Sequence, residues 1–266
     1  MDSARQSTQR LQQLRLISKL QSGVSGTIFE AEHIPTNSLV AVKRILLDSP
    51  STAARFLAEC KHSSGFSTHP NVVDTYYSFT HEAYGYIVME LLPNDLLEQF
   101  DDFRNEENLR TVFQQVCKAV ASLHNNNIAH LDIKPENILI NDDGDAKLCD
   151  FGAAHGFLEH LDCPVGTEFY RAPETRATSD YDKASADIWS LGVLLFTLLT
   201  GEFPYPGTTE AELLESVRKN QLCMTALKKR KHSKTAAALV QQMLQNDPTQ
   251  RPTIFQVLRH PFCFFF

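Results

Sequence analysis

The chain has 266 residues, of which 42% are hydrophobic and 21% are charged, as is usual for a soluble globular protein. A chain of this length forms one large domain or two small ones, and either can bury a substantial core. The formal net charge of −7 argues against a general binder of nucleic acid or of an anionic membrane, because such a protein needs a basic surface.

The cysteines and the first residues argue against further classes of protein. The six cysteines are scattered, with no CxxC pair and no histidine at zinc-ligand spacing, which disfavours a disulfide framework and a structural zinc site. The start lacks an apolar segment and a glycine at position 2, which disfavours secretion and myristoylation. The longest apolar stretch, residues 191–199, is too short to span a bilayer. An intracellular, cytoplasmic protein is therefore expected.

The first part of the chain is predicted to form strands, because short β-branched or aromatic runs alternate there with turn residues. These runs are residues 28–32, 39–43, 72–73 and 86–89. One helix is predicted among them, at residues 51–62, with Ser51 as its N-cap. Phe56, Leu57 and Cys60 would lie on one side of this helix.

From about residue 108 the pattern becomes helical. Apolar residues at spacings of three and four predict a helix with one face towards a core, formed by Leu109, Val112, Phe113, Val116, Cys117, Val120 and Leu123. Residues 188–199 are apolar nearly all round, which is typical of a helix buried in the middle of its domain. Strands followed by helices predict an α+β protein of layers or two lobes, joined near Pro93. A nucleotide is expected in a cleft at this join.

The most informative motif is His-Leu-Asp-Ile-Lys-Pro-Glu-Asn at residues 130–137. Phosphoryl transfer needs a carboxylate to orient a hydroxyl, a cation for the moving charge and an amide oxygen for Mg²⁺. Asp132, Lys134 and Asn137 supply these groups at fixed offsets. Asp-Phe-Gly follows at residues 150–152 and Val-Ala-Val-Lys precedes at residues 40–43, so a chance match is not a serious interpretation.

Residues 20–28 join the first two strands through a loop that contains Gly23 and Gly26. Glycines allow backbone amides to approach phosphates closely, although a plain hairpin turn would have the same composition. Lys43 follows Gly26 by seventeen residues. A lysine on a buried strand is costly unless it is paired, and Glu59 is the obvious partner. The alternative is a surface lysine on an edge strand.

With these motifs, nearly all of residues 20–262 resembles the eukaryotic-type protein kinases. The resemblance implies a two-lobed fold in residues 14–262, with ATP and Mg²⁺ as cofactors. The N-lobe, about residues 14–92, would be an antiparallel sheet with one helix, and the C-lobe, about residues 93–262, would be mainly helical. Residues 1–13 would form an N-terminal extension and residues 263–266 an aromatic tail.

The resemblance also implies a role for individual residues. Lys43, paired with Glu59, would hold the α- and β-phosphates, and Asp132 would accept the proton of the substrate hydroxyl. Asn137 and Asp150 would hold Mg²⁺. The other residues implied to contact the nucleotide are Leu20, Gly23, Gly26, Ile28, Ala41, Met89, Glu90, Leu92, Asp95 and Leu139.

Lys134, two residues after the catalytic acid, is typical of serine/threonine kinases. Thr167 resembles the threonine that binds this acid and lysine in the same class. Ala-Pro-Glu at residues 172–174 resembles the end of the activation segment, here residues 150–174. Arg251 resembles the arginine that pairs with that glutamate, and Asp187 the acid that anchors the catalytic loop. These features disfavour a phosphotransferase that acts on small molecules.

Two departures from the family pattern affect function. Gln21 replaces the first glycine of the loop, which predicts weaker ATP affinity. Leu131 replaces the arginine that normally receives the phosphate of the activation segment, and residues 153–166 contain no serine, threonine or tyrosine. A kinase that needs no phosphorylation of this segment is therefore predicted. A catalytically weak or inactive kinase that acts as a scaffold remains the alternative.

Other features have two interpretations each. Cys149 is either a small buried residue or a reactive thiol beside the ATP site, with Cys163 as a second exposed thiol. The basic run at residues 228–231 is either a solvated helix end or a patch for docking or nuclear import. Cys263 formally fits a prenylation motif, but a tail packed on the helical lobe is the simpler interpretation, and an aromatic patch for a partner is another.

Glu136 occupies a position that contacts a substrate arginine in basophilic kinases. Protein substrates with basic residues around the acceptor are therefore expected, and the protein itself is expected to be a monomer without nucleic-acid or membrane partners.

Overall fold

The structure, a computed structural model, describes residues 2–23, 25–100, 105–161, 165–176, 180–229 and 233–264. A sheet-rich N-terminal region is followed by a mainly helical region, which confirms the predicted two-lobed α+β architecture. The predicted second thiol at Cys163, two members of the basic run (Arg230 and Lys231) and the last two residues of the tail lie outside the described residues.

Five antiparallel strands form the sheet of the N-terminal lobe, in the order β1-β2-β3-β5-β4. Lys43 lies on β3, opposite Ile28 of β2 and Ile87 of β5, and is therefore in the middle of the sheet. The elements of this lobe are α1 (Asp2–Gln12), β1 (Leu14–Gly23), β2 (Gly26–His33), β3 (Ser38–Leu46), α2 (Pro50–Gly65), β4 (Thr75–His81) and β5 (Tyr84–Glu90).

The helical lobe carries short strands on the side that faces the sheet. β6, β8 and β9 form one small sheet, and β10 pairs with β7. The elements are β6 (Asn94–Asp95), α3 (Glu106–Asn125), β7 (Ile128–Ala129), β8 (Ile138–Ile140), β9 (Ala146–Leu148), β10 (His155–Gly156), α4 (Lys183–Thr200), α5 (Glu210–Arg218), α6 (Met224–Lys229), α7 (Lys234–Met243) and α8 (Ile254–Arg259).

The predicted N-cap of α2 was wrong. The helix begins at Pro50 and is capped by Ser49, whose side chain accepts from the backbone of Thr52 while the Thr52 side chain accepts from the backbone of Ser49. This capping box and the proline at the first helical position fix the start, and the prediction missed it because it placed the cap at Ser51, after the proline. Phe56 is buried as predicted, but Leu57 is 64% exposed, because it lies a quarter-turn further round the helix.

The strand predicted at residues 72–73 was also wrong. Val72 forms only an isolated bridge to Leu148 of β9, and the strand itself, β4, begins at Thr75. Both valines are buried, because this stretch crosses between the two lobes and packs against the small sheet. These two valines are therefore apolar because they are buried at the junction between the lobes, and not because they belong to the large sheet.

The two predicted core helices have the expected faces. Every residue of the predicted apolar stripe of α3 is buried, and α4 is buried nearly all round. Residues 191–199 of α4, the stretch considered in the sequence, are too short to cross a membrane. The whole helix, Lys183–Thr200, is long and apolar enough to do so. However, 89% of it is buried inside the protein, so its apolar surface packs against the rest of the helical lobe.

Both ends of the described chain pack on the fold. In α1, the guanidinium of Arg10 donates to the carbonyl of Ser78 on β4 at 2.9 Å and lies over the ring of Tyr77. At the other end, Phe262 and Cys263 are fully buried, and the backbone carbonyl of Cys263 accepts from the side chain of Gln114 on α3 at 2.8 Å. The thiol of Cys263 is thereby enclosed, while Phe264 is half exposed.

Candidate active site

A cleft of about 560 Å³ lies where the sheet meets the helical lobe, a volume that suits a nucleotide. The structure brings most of the predicted nucleotide-binding and metal-binding residues to its wall. These are Leu20, Ile28, Ala41, Lys43, Glu59, Met89, Glu90, Leu92, Asp95, Asn137, Leu139 and Asp150.

Four predicted residues lie beside the cleft rather than on its wall. Gly23 and Gly26 face each other at the ends of β1 and β2 and close the hairpin above it. Gly26 has φ = +127°, and a Cβ atom there would lie 2.7 Å from the carbonyl oxygen of Arg44, so only glycine fits. Asp132 and Lys134 lie on the catalytic loop between β7 and β8, and Asp132 lines a smaller neighbouring cavity.

Lys43 is the central cation of the cleft. Its side chain is buried, and its Nζ atom lies 2.5 Å from Oε1 of Glu59 and 2.8 Å from Oδ1 of Asp150. Burial alone would lower the pKa of this ammonium, but the carboxylates of Asp150 and Glu59 outweigh burial and raise it. Lys43 is therefore a permanent cation, and the alternative of a surface lysine on an edge strand was wrong.

The two carboxylates that hold Lys43 have opposite pKa shifts. Burial raises the pKa of Glu59, and the Lys43 ammonium opposes this rise. Burial would also raise the pKa of Asp150, but the Lys43 ammonium and the backbone N–H of Gly152 outweigh it and lower the pKa. Asp150 is therefore an ionised carboxylate at neutral pH, as a metal ligand has to be.

Asn137 and Asp150 form an oxygen donor set that fits Mg²⁺. The Nδ2 atom of Asn137 donates to the backbone carbonyl of Asp132 at 2.8 Å and to its Oδ2 atom at 3.0 Å, which leaves the amide oxygen as the atom that can bind a cation. Mg²⁺ usually takes one or two protein oxygens and completes its shell with phosphate and water. Among the described residues, no group of three or more histidine, cysteine or acidic side chains could hold a metal ion.

Asp132 is held through both of its carboxylate oxygens. Oδ1 accepts from the backbone N–H of Thr167 at 2.8 Å and from its hydroxyl at 2.7 Å, and Oδ2 lies 3.1 Å from Nζ of Lys134. Lys134 also donates to the hydroxyl of Thr167 at 2.7 Å. The acid, the lysine and the threonine therefore form one network that ties the catalytic loop to the activation segment.

Asp187 of α4 holds the backbone of the catalytic loop and is completely buried. Its Oδ1 atom accepts from the N–H of Leu131 at 2.8 Å, and its Oδ2 atom accepts from the N–H of His130 at 2.9 Å. Leu131 has φ = +63°, a left-handed conformation that costs a non-glycine residue about 1–3 kcal/mol. The hydrogen bonds of Asp187 offset this cost and keep Asp132 in position.

The connection between the lobes is stabilised by Lys147 of β9, a residue that the sequence analysis did not single out. Glu90 lines the cleft, but its carboxylate accepts from Nζ of Lys147 at 2.7 and 2.9 Å and from the backbone N–H of Asp74 at 2.7 Å. The side chain of Glu90 is therefore engaged with β9, and its backbone N–H donates to the carbonyl of Asp74 at 2.9 Å. Asp95 also lines the cleft, and its Oδ1 atom accepts from the backbone N–H of Glu98 at 2.8 Å.

Several cleft residues were not predicted as site residues: Glu30, Ser63, Val73, Thr75, Pro93, Asn94, Glu98 and Phe151. Val73 and Thr75 were missed because β4 was misplaced in the prediction. Ser63 lies one helical turn after Glu59 on α2, so the i, i+4 spacing from Glu59 was the signal that could have found it.

Cys149 combines the two interpretations given for it. It lines the cleft, yet burial raises the pKa of its thiol, and the neighbouring carboxylate of Asp150 adds to the rise. Only a small fraction is thiolate at neutral pH, and the thiolate is the reactive form. Cys149 therefore lies on the wall of the cleft with a thiol that is mainly protonated at neutral pH.

Comparison with known proteins agrees with this geometry. Residues 14–263 match the family model described as protein kinase domain. The chain is similar to the serine/threonine-protein kinase dst2 of Dictyostelium discoideum, with 31% identity over 93% of this chain and 22% of the relative. It is also similar to the liver/testis phosphorylase b kinase gamma catalytic chain of Bos taurus, with 31% identity over 90% of this chain and 64% of the relative.

A third relative is the protein kinase domain-containing protein ppk9 of Schizosaccharomyces pombe, with 32% identity over 86% of this chain and 44% of the relative. The chain thus covers less than two thirds of the length of each of these relatives. The family model nevertheless spans both lobes and the whole of the cleft. The chain therefore belongs to the protein kinase family.

Proposed function

We propose that the protein is an active serine/threonine kinase that transfers the γ-phosphoryl group of ATP, bound with Mg²⁺, to hydroxyl groups of protein substrates. The observation that carries this proposal is the network of Asp132, Lys134 and Thr167, in which the acid is fixed through both oxygens beside the nucleotide cleft. A positioned carboxylate of this kind contributes about 10²- to 10⁴-fold to a proton-transfer step.

Each residue of the site would have a distinct role in phosphoryl transfer. Asp132 orients the substrate hydroxyl and accepts its proton, and Lys134 places a cation beside the group in transit. Lys43, fixed by Glu59 and Asp150, would hold the phosphates. Asn137 and Asp150 would hold Mg²⁺, which neutralises charge on the phosphates when bound.

The alternative of an inactive scaffold predicts that at least one of these groups is lost or displaced. Lys43, Asp132, Asn137 and Asp150 are all present, and their mutual contacts have hydrogen-bonding distances. Gln21 lines the cleft in place of a glycine, and it is the feature most favourable to weak ATP binding. The intact network supports transfer over a scaffold.

Independence from phosphorylation of the activation segment is a further part of the proposal. Leu131 is buried in the core of the helical lobe, at the place where the family pattern has an arginine. The segment is held instead by a contact within itself, from Arg171 to the carbonyl of Gly166 at 2.7 Å, and by a contact with the catalytic loop, from Thr167 to Asp132. These contacts require no phosphate.

Protein made in bacteria and treated with phosphatase is expected to transfer phosphate from radiolabelled Mg-ATP to a basic generic substrate. Phosphoamino-acid analysis of the product should show phosphoserine or phosphothreonine, and mass spectrometry should show no phosphate on Thr167 in the active protein. Activity that appears only after Thr167 becomes phosphorylated would contradict independence. ATP binding without any transfer would instead favour the scaffold.

Glu136 supports a substrate with a basic residue near the acceptor. It lies on the catalytic loop and lines the cleft, and its Oε2 atom is buried without a hydrogen-bond partner among the described residues. A buried carboxylate oxygen without a partner costs free energy. If the Glu136 side chain turns towards the cleft, an arginine or lysine of a bound peptide would supply the missing donor. We therefore propose that the preferred peptides carry a basic residue within reach of Glu136.

Replacing Glu136 by glutamine is expected to reduce kcat/KM for an arginine-containing peptide about tenfold to a hundredfold, because the negative charge that pairs with the arginine is lost. The KM for ATP should stay the same. The exposed Glu107 provides the control substitution to glutamine. If peptides with norleucine in place of arginine lose as much activity in the Glu136→Gln variant, the arginine contact is refuted.

A further inference from the structure

We propose that Lys183, the first residue of α4, is a positioning residue that holds the activation segment against the helical lobe. The proposal rests on the proposed function, because it explains how the segment is ordered without a phosphate. In many kinases a phosphate bound to an arginine orders the activation segment, and here the buried ammonium of Lys183 would order it instead.

The position of Lys183 is unfavourable by itself. It is buried, with 5% of its surface exposed, and it lies in the first turn of α4, where the partial positive charge of the helix N-terminus disfavours a cation. Taking an ammonium out of water is costly unless it gains hydrogen bonds. Its Nζ atom donates to the carbonyl oxygen of Phe157 at 3.0 Å and lies 5.9 Å from the centre of the Tyr181 ring.

Phe157, the partner of Lys183 in the activation segment, is also held by two other contacts. The backbone N–H of Phe157 donates to the carbonyl of Asn127 at 2.8 Å, next to the short ladder between β10 and β7. The ring of Phe157 meets the ring of His124 edge-on, with 5.6 Å between centres. With the hydrogen bond from Lys183, the N–H, the carbonyl and the ring of Phe157 are all in contact with other parts of the lobe.

These contacts lead directly to the catalytic loop. His124 also binds Oδ2 of Asp187 at 2.8 Å through its Nε2 atom, and Asp187 holds the backbone of His130 and Leu131. Lys183 and Asp187 lie one turn apart on α4, so the same helix fixes the activation segment and the loop that carries the catalytic acid. Loss of the Lys183 contact should therefore loosen the segment and lower kcat more than it changes the KM for ATP.

The experiment compares Lys183→Met, which keeps the apolar stem, with Lys183→Arg, which keeps a charged donor. Lys219→Met serves as the control, because Lys219 is exposed on the same lobe. Hydrogen–deuterium exchange of residues 155–161 is expected to be about tenfold faster in Lys183→Met, the factor for losing one hydrogen bond to a charged donor. A similar loss of kcat should follow, and Lys183→Arg should recover most of both losses.

Unchanged exchange and unchanged kcat in a folded Lys183→Met protein would overturn the proposal. If this variant does not fold, competitive acetylation of lysines in the wild-type protein decides, because a buried and bonded Lys183 should react far more slowly than Lys219. Equal rates of acetylation at Lys183 and Lys219 would refute the proposed positioning role of Lys183. If Lys183→Met exchanges faster but the wild-type protein transfers no phosphate, the role of Lys183 is supported and the proposed function is rejected. The two failures are therefore distinguishable.

Discussion

Replacing Asp132 by asparagine is expected to lower kcat about 10²- to 10⁴-fold, which is the usual contribution of a positioned general base. The amide can still accept from Thr167, so the loop should keep its geometry while it loses the group that takes the proton. Initial rates at saturating Mg-ATP and peptide measure the effect, and thermal unfolding should show a Tm close to that of the wild type.

Asp143 provides the matched control, since it is exposed in the turn between β8 and β9. Asp143→Asn should retain full activity. A drop of less than tenfold in Asp132→Asn, with folding intact, would mean that Asp132 is not the base. A large drop in Tm would instead show that the charge of Asp132 mainly stabilises the loop.

Replacing Arg251 by leucine is expected to lower the free energy of unfolding by about 3–5 kcal/mol, the usual cost of removing one partner of a buried ion pair. The side chain of Arg251 is completely buried and holds both carboxylate oxygens of Glu174, at 2.5 and 2.8 Å. It also donates to the carbonyl of Gln245 at 2.8 Å and stacks on the ring of Trp189. Urea unfolding followed by tryptophan fluorescence measures the loss.

The exposed Arg259 on α8 is the control, and Arg259→Leu should change stability by less than about 0.5 kcal/mol. The double variant Arg251→Leu with Glu174→Leu should be more stable than the single Arg251→Leu variant, because it removes the unpaired carboxylate. Additive losses in the double variant would show that the two residues do not act as a pair.

The sequence predicted the fold class and the core helices because these depend on local patterns. The apolar stripe of α3 and the apolar surface of α4 are visible as spacings, and both are buried as expected. The proposed catalytic residues were predicted for a similar reason, since their types stand at fixed offsets around Asp132 and Asp150. Most of the predicted nucleotide-binding residues then lie on one cleft.

What the sequence did not predict depends on contacts between distant segments. The misplaced strand at residues 72–73 has the composition of a strand, but its burial comes from β9, far along the chain. Lys147 belongs to a strand without any recognisable motif, and only its contact with Glu90 gives it a role. Lys183 likewise resembles any other helix-terminal lysine until Phe157 is placed beside it.

The hydrogen bonds of Asp187 have a consequence for the order of folding. The left-handed backbone at Leu131 is unfavourable alone, and the acid that stabilises it lies 56 residues further along the chain. Contacts over such a separation form late, because the entropy of closing a long loop is lost before they form. The catalytic loop is therefore expected to take its working shape only after α4 has docked. A nascent or partly unfolded chain accordingly has no assembled catalytic centre, and the folded helical lobe is a precondition for activity.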